Sequence, residues 1–140
     1  MELEGVTREV SNMGEPSLKN PLPKVKMKLL DKDYLCVIDT GSCVSIVCSN
    51  VIAANKLQNY NGPLLKFVTG DLLQVIGQVN LLLDERFEHS FVVVKEFRFD
   101  VLLGLDFLKK FDARININKN LVLGNAGFNF INKDDPKVRV

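Results

Sequence analysis

Asp39 is the residue of this chain whose type and surroundings point most directly to chemistry. An apolar run at residues 35–38 ends on this acid, and a second apolar run begins at Val44. A carboxylate between two buried segments loses its hydration. This loss costs free energy unless hydrogen-bond donors or cations compensate. Three residues directly after it offer two hydroxyls and a close backbone N–H: Thr40, Gly41 and Ser42. Such groups would hold an acid in a tuned protonation state.

The same triplet also has a purely structural interpretation. In an Asx-type turn between two strands, Asp39 would accept backbone N–H groups and Gly41 would supply a positive φ. Short motifs match by chance, so the rest of the chain has to decide between a turn and a reactive acid.

The size and composition of the chain limit the possible classes of function. Its 140 residues suffice for one domain with a real core, but not for two. The net charge of +1 and the near-average composition argue against a nucleic-acid-binding stripe. No apolar run is long enough to span a bilayer, and the first residues do not resemble a secretory signal. We therefore expect a cytoplasmic protein whose domain binds neither nucleic acid nor membrane.

The cysteines and the single histidine are spaced as structural residues would be. The three cysteines lie in or beside the apolar runs around Asp39: Cys36, Cys43 and Cys48. Their odd number predicts reduced thiols, and their spacing matches no zinc site, so we expect small core residues and no metal. His89 alternates with Phe87 and Phe91, which is typical of a strand residue. A Cys–His nucleophilic pair stays open, because distance in sequence does not prevent contact in the fold.

Short strands separated by turns dominate the pattern of the chain. Alternation and short apolar runs predict strands at residues 24–29, 34–38, 64–68, 72–76, 79–83, 87–94, 99–103, 113–117 and 121–123. Turns are predicted at residues 31–33, 69–71, 84–86 and 118–120, and a bulge at Gly77. Residues 105–111 have helical spacing, and residues 51–57 favour a short helix or turn. The pattern predicts an all-β, barrel-like domain with one helix.

The same pattern divides the chain into three parts: an arm, a packed domain and a tail. Residues 1–20 are polar and lack a sustained period, so we expect a flexible N-terminal arm. Residues 21–124 form the packed domain. Residues 125–140 form a C-terminal tail of uncertain role.

Three segments together resemble a retroviral-type aspartic protease (retropepsin), of the kind found in retroviruses and gypsy-type retrotransposons. Val37-Ile38-Asp39-Thr40-Gly41-Ser42 is similar to the catalytic loop, the hairpin at residues 67–75 to the flap, and residues 101–108 to the strand–glycine–helix element. The resemblance covers residues 24–123. It implies a small closed β-barrel-like acid-protease fold, all-β with one short C-terminal helix.

The resemblance also implies a mechanism that needs two chains. The chemistry of the family uses two carboxylates that share one proton around a water, and this chain supplies only Asp39. The second carboxylate would be Asp39 of another copy, in a two-fold symmetric homodimer. One Asp39 would be the general base that activates the water, and the protonated one would polarise the scissile carbonyl.

Further roles are implied for the neighbours of Asp39 and for the flap. Thr40 would make cross-subunit hydrogen bonds, the Gly41 backbone would donate to the carboxylates, and the Ser42 hydroxyl would bond the outer carboxylate oxygen. The flap would close over an extended peptide bound as an added strand. Its substrate-binding residues would be Val68, Thr69, Gly70 and Asp71.

Two other features are assigned by the same comparison. Asp106 is expected to be a helix-start residue, favourable near the N-terminal dipole, rather than a second catalytic acid. In this family, chain ends usually interleave at the dimer interface. Phe128, Phe130 and Ile131 in the tail are the predicted interface strand.

The leading hypothesis is a homodimeric aspartic endopeptidase that cleaves a retroelement polyprotein, in the cytoplasm or within virus-like particles, without a cofactor. One alternative is a cellular, ubiquitin-linked retropepsin-like protease of the DNA-damage-inducible kind. The other is a catalytically inactive dimeric binding module of the same fold.

Overall fold

A computed structural model describes residues 8–10, 22–67 and 69–131, which form eleven strands and one α-helix. The strands are β1 (Arg8–Val10), β2 (Lys24–Leu29), β3 (Lys32–Ile38), β4 (Ile46–Cys48), β5 (Leu65–Phe67), β6 (Val75–Leu83), β7 (Phe87–Val94), β8 (Val101–Leu103), β9 (Arg114–Asn116), β10 (Asn120–Leu123) and β11 (Ala126–Asn129). The helix α1 (Leu105–Lys110) lies between β8 and β9. Two 3-10 turns follow β4, at Ser49–Val51 and Ala54–Lys56. None of the helices in these ranges is long and apolar enough to cross a membrane.

Six strands form the main sheet, in the order β2-β3-β8-β4-β7-β6. The predicted all-β class is thus confirmed, but the sheet is not the closed barrel that we expected. Its edge strands β2 and β6 approach each other at their ends, where the Asp84 N–H donates to Lys28 O at 2.8 Å. Asp84 already belongs to the turn after β6, so no ladder of hydrogen bonds joins these two described strands.

The β2–β3 hairpin turns more tightly than predicted. Leu30 and Asp31 have φ values of 53° and 67°, as in the two-residue turns whose twist matches that of the flanking strands. β3 therefore begins at Lys32, inside the segment 31–33 that we expected to be the turn. The sequence did not indicate this turn because leucine rarely adopts a positive φ.

The remaining strand predictions hold with small shifts. The turn at residues 84–86 joins β6 to β7, and a bulge interrupts their pairing between Val75 and Gly77. The second flap strand is shorter than predicted, since only Leu72 pairs with Lys66 in an isolated bridge.

Both faces of the main sheet are buried at its central strands β8 and β4, whereas the edge strands β2 and β6 expose alternate residues. One face packs against α1 and β10 in the larger core, whose fully buried side chains include Met27, Leu83, Phe91, Leu103, Phe107 and Leu121. The other face forms a second cluster that includes Ile46, Leu65, Val92, Phe97 and Leu102. Burying one such side chain contributes roughly 1.5–3 kcal/mol. The strand that leads to Asp39 is therefore held from both sides.

The C-terminal strands form a separate sheet in the order β11-β10-β9. Phe128 on β11 packs edge-on against Phe87, with ring centroids 6.1 Å apart, and the Ile131 N–H donates to Lys24 O at 2.8 Å. Phe130 also packs against the larger core. The tail up to Ile131 thus contacts its own domain, and its role as an interface strand stays a prediction; residues 132–140 lie outside the described ranges.

The predicted N-terminal arm is described at one strand. β1 pairs in parallel with the flap strand β5, with Glu9 opposite Lys66. The other residues of the arm lie outside the described ranges.

Candidate active site

Asp39 lies directly after β3 and is only 3% exposed. β3 and β8 pair in parallel with Ile38 opposite Leu103, and the Asp39 N–H continues this pairing by donating to Leu103 O at 3.0 Å. Asp39 therefore lies beside the end of β8, where Gly104 connects β8 to α1.

The residues after Asp39 form a loop that is hydrogen-bonded back to Asp39. The Gly41 N–H donates to Asp39 Oδ1 at 2.9 Å, the contact implied by the resemblance, and the Ser42 N–H donates to Asp39 O at 3.2 Å. The buried Ser42 hydroxyl donates to Val44 O at 2.7 Å, and its expected bond to the outer carboxylate oxygen of Asp39 stays a prediction. Thr40 is exposed, and its cross-subunit hydrogen bonds stay a prediction.

Gly104 allows the loop and the helix to approach each other closely. The Leu105 N–H donates to Ser42 O at 2.8 Å, which fixes the loop to the first turn of α1. A Cβ on Gly104 would collide with Val44 O and would lie 2.8 Å from Ser42 O. Both obstacles are backbone atoms, so only glycine fits here.

Asp106 connects the far end of the loop to α1. Its Oδ1 accepts from the Ser45 hydroxyl at 2.7 Å and from the Phe107 N–H at 2.7 Å, and its Oδ2 accepts from the Ser45 N–H at 3.2 Å. Ser45 Oγ in turn accepts from the Gly104 N–H at 2.9 Å. Asp106 thus does lie at the start of the helix, as predicted, but most of its hydrogen bonds hold Ser45.

His89 lies on the other side of Asp106. Its Nε2 is 3.0 Å from Asp106 Oδ2, an ion-pair distance, although the contact is not a well-aligned hydrogen bond. Burial opposes ionisation of Asp106, but the contacts with His89, Ser45 and the Phe107 N–H outweigh it and hold the pKa of this carboxyl below its ordinary value.

The sequence analysis did not identify Ser45 or the pairing of His89 with Asp106. A signal for Ser45 was present, because it is a polar residue inside the apolar run 44–47. Its full burial is explained only by partners that come from β8 and α1, far away in sequence.

The predicted flap is a hairpin with an exposed tip. The Phe67 N–H donates to Asp71 O and the Gly70 N–H donates to Phe67 O, both at 2.9 Å. Gly70 has a φ of 100°, a value that residues with a side chain rarely adopt. The Thr69 hydroxyl donates to Asp71 Oδ2 at 3.4 Å. Val68 lies outside the described residues. The substrate-binding role of this hairpin stays a prediction.

The cysteines are free thiols in two different environments. Cys36 and Cys48 are buried and Cys43 is exposed. Burial raises the pKa of the Cys36 thiol, and the negative charges of Asp100 and Asp84 add to this effect. Within the described ranges, no group of three or more His, Cys, Asp or Glu side chains could hold a metal ion.

Comparison with known proteins gives one curated relative, and no family model matches the chain. DNA damage-inducible protein 1 from Candida glabrata is 25% identical over 103 residues, which cover 70% of this chain and 24% of that protein. The chain thus spans about a quarter of the length of this relative.

Two solved structures are similar to this chain in fold. The retroviral protease-like domain of Ddi1 from Leishmania major has a TM-score of 0.66 at 17% identity, and the match covers 84% of this chain and 98% of that domain. The EIAV protease, complexed with the inhibitor HBY-793, has a TM-score of 0.54 at 16% identity, and the match covers 74% of this chain and 99% of that protease. The retropepsin-like fold predicted from three short segments is therefore confirmed.

Proposed function

We propose that this chain, which has a retropepsin-like fold, is an aspartic endopeptidase that works as a homodimer with one Asp39 from each copy. The observation that carries the proposal is the position of Asp39. Its carboxylate accepts from the Gly41 N–H and its backbone is bonded to β8, so the acid is buried but held at a defined place. A rigid backbone around a carboxylate is what proton transfer at fixed geometry requires.

The proposed reaction divides the work between two identical acids. Close carboxylates cannot both ionise comfortably, so the pair holds one proton between them. The ionised Asp39 takes a proton from the water, whose oxygen attacks the carbonyl carbon of the scissile peptide bond. The protonated Asp39 polarises the carbonyl oxygen, and a proton passes to the leaving amine when the C–N bond breaks. The substrate would lie extended under the flap, as an added strand.

An exposed sheet edge supports the formation of a dimer. β9 is an outer strand of its sheet, and the accessible side chains along it include Ile115, 36% exposed, and Ile117 just beyond it, 83% exposed. A strand edge that pairs with no other described strand and carries accessible isoleucines is a surface that a second copy could cover. A two-fold axis beside such an edge pairs the same strand of both copies.

The substrate class has two candidates with different support. The likeness to the EIAV protease fold, together with Gly-Leu-Asp-Phe-Leu at residues 104–108, which resembles the retrotransposon form, supports cleavage of a polyprotein. The curated relative and the Leishmania major domain support a cellular protease of the DNA-damage-inducible type. A reverse transcriptase encoded directly downstream would be incompatible with the second candidate.

The experiment that tests the activity compares the purified chain with its Asp39→Asn variant on a peptide library, from acidic to neutral pH. Asp112→Asn is the matched control, because Asp112 is an exposed acid whose positive φ asparagine tolerates. We expect cleavage by the wild-type chain and by the control, and none by Asp39→Asn.

Two results would contradict the proposal. Equal cleavage by the wild-type chain and Asp39→Asn would exclude Asp39 as the reacting acid. No cleavage by any chain, together with no shift in melting temperature on adding a pepstatin-like transition-state mimic, would favour an inactive binding module of the same fold.

A further inference from the structure

We propose that Asp106 and His89 are positioning residues for the proposed reaction, and that the pair keeps the Asp39 loop in its working geometry under acidic conditions. This inference rests on the proposed function. It concerns the Ser45–Asp106–His89 network, which comprises these three side chains and joins the far end of the Asp39 loop to α1 and β7.

The first step of the argument is that Asp106 holds the Asp39 loop at its far end. The loop runs from Asp39 to Ser45, and both the hydroxyl and the N–H of Ser45 donate to the Asp106 carboxylate. Ser42 O accepts from the Leu105 N–H, so the loop is attached to α1 at two successive points. A displacement of about 1 Å in a catalytic site can cost about a hundredfold in rate. A shift at Ser45 would therefore be transmitted to Asp39.

The second step is that His89 is buried and faces the Asp106 carboxylate. It is 8% exposed, and its ring lies edge-on to Phe91 and Phe107, with centroids 5.5 and 5.4 Å away. Its Nε2 faces Asp106 at 3.0 Å, while Nδ1 has no hydrogen-bond partner among the described residues. A buried imidazole costs free energy unless its polar atoms are used, so its contact with Asp106 is the interaction that explains the residue.

Charged residues on β7 and α1 flank this pair. β7 contributes His89 itself and Glu88, and α1 contributes Asp106 and Lys110, whose Nζ donates to Glu88 O at 2.7 Å. β6 places the apolar Leu81 opposite His89. The direct ionic neighbour of Asp106 in this arrangement is therefore His89.

The third step links the network to acidic conditions. An aspartic dyad works with one carboxyl protonated, whereas the network needs Asp106 ionised, because a protonated carboxyl loses acceptor capacity and its ion pair. Since the pKa of Asp106 lies below its ordinary value, its carboxyl stays ionised to a lower pH than that of an ordinary aspartate. Removing the contact with His89 would raise the pKa of Asp106, so that its carboxyl would be protonated at a higher pH than in the wild-type chain.

The test compares three variants for kcat, KM and pH profile on a cleaved peptide. His89→Gln keeps an N–H donor without a charge, His89→Phe removes both, and Asp106→Asn removes the acceptor charge. Ser90→Ala is the matched control, because Ser90 is the next residue on β7 and its side chain is exposed. We expect the control to match the wild-type chain.

The expected results separate positioning from binding. His89→Phe and Asp106→Asn should lower kcat about tenfold or more, with KM changed less than about twofold. His89→Gln should retain most of kcat near neutral pH, but the acidic limb of its profile should move to higher pH. Unchanged kcat and unchanged pH profiles in all three variants would overturn the inference, while absence of cleavage by the wild-type chain would instead defeat the proposed function.

A second measurement does not depend on catalysis. The pKa of the Asp106 carboxyl, followed by carbon NMR in the folded protein, should be higher in His89→Gln than in the wild-type chain. An identical pKa of Asp106 in both chains would overturn the inference. This result does not depend on whether His89→Phe folds.

Discussion

The backbone N–H of Asp39 donates to the carbonyl oxygen of Leu103 at 3.0 Å, across the parallel pair β3 and β8. This bond joins two segments that are far apart in sequence and that the sequence analysis linked only through a family resemblance. Because Gly104 and α1 follow Leu103 directly, the bond also places the acid beside the element that supports its loop. The geometry of the candidate site therefore depends on how β8 ends.

The close packing at Gly104 can be tested with Gly104→Ala. The new methyl group would collide with the backbone of Val44 and crowd Ser42, neither of which can rotate away. Overpacking of this kind costs roughly 1–3 kcal/mol, so we expect the free energy of unfolding to fall by about 2 kcal/mol. Denaturant unfolding measures the change.

Gly127→Ala is the control for that substitution. A Cβ on Gly127 would meet Asn120 Nδ2 at 3.6 Å, an ordinary contact on β11. We expect its stability to stay within about 0.5 kcal/mol of the wild-type value. Equal stability of the two alanine variants would show that the loop and α1 are not in the contact described.

The three cysteines should differ in their reaction with a thiol reagent. Cys43 is exposed, whereas Cys36 and Cys48 are buried, and burial raises the pKa of the Cys36 thiol. Because the thiolate is the reactive form, we expect one thiol of the three to react rapidly and the other two only after denaturation. Cys43→Ser should abolish the rapid phase, and rapid reaction of all three thiols would contradict the burial of Cys36.

Much of the fold was predictable from the sequence because the relevant signals are local. The alternation of lysines with Val25, Met27 and Leu29 gave β2 with its observed bounds, and all three apolar residues are buried. The loop at Asp39 was identified from a few adjacent residues. The turn at Leu30 was misplaced, because the pairing between β2 and β3 outweighs the preference of leucine for a negative φ.

The parts that escaped prediction depend on contacts between distant segments. The barrel would be closed if β2 and β6 paired along their length. The relative position of these two edge strands is not encoded in any local sequence pattern. The bond from the Ser42 hydroxyl to Val44 O at 2.7 Å was not predicted either, because it forms only when the loop has its folded shape. Ser45 acquires partners only when β8 and α1 are in place.

Acid should weaken the native state in part through Asp106. Its pKa in the folded chain lies below the ordinary value of 3.8, so its contribution to stability is complete above pH 3.8 and is lost as the pH falls through the folded pKa. The difference in free energy of unfolding between the wild-type chain and Asp106→Asn should therefore narrow below pH 3.8. A difference that stays constant on acidification would show that Asp106 is not stabilised as an anion.

The exposed edge at β9 predicts an effect on dimer formation. Ile117→Lys places a charge on a side chain that is 83% exposed in the single chain, so the monomer should fold normally. If β9 lies in the proposed interface, burying that charge would weaken the dimer. Sedimentation should then show that the variant is monomeric at protein concentrations where the wild-type chain is still dimeric. Leu82→Lys, at a half-exposed site on β6, is the control. Equal dimer stability in both variants would exclude the β9 edge.

The most direct test of the shared site is a mixing assay. Wild-type chain and Asp39→Asn chain are combined in varying ratios, allowed to exchange subunits, and assayed for peptide cleavage at constant total concentration. If each site needs Asp39 from both copies, activity should follow the square of the wild-type fraction and fall to about one quarter at equal amounts. Activity proportional to the wild-type fraction, about one half at equal amounts, would mean that each chain acts alone and would contradict the account.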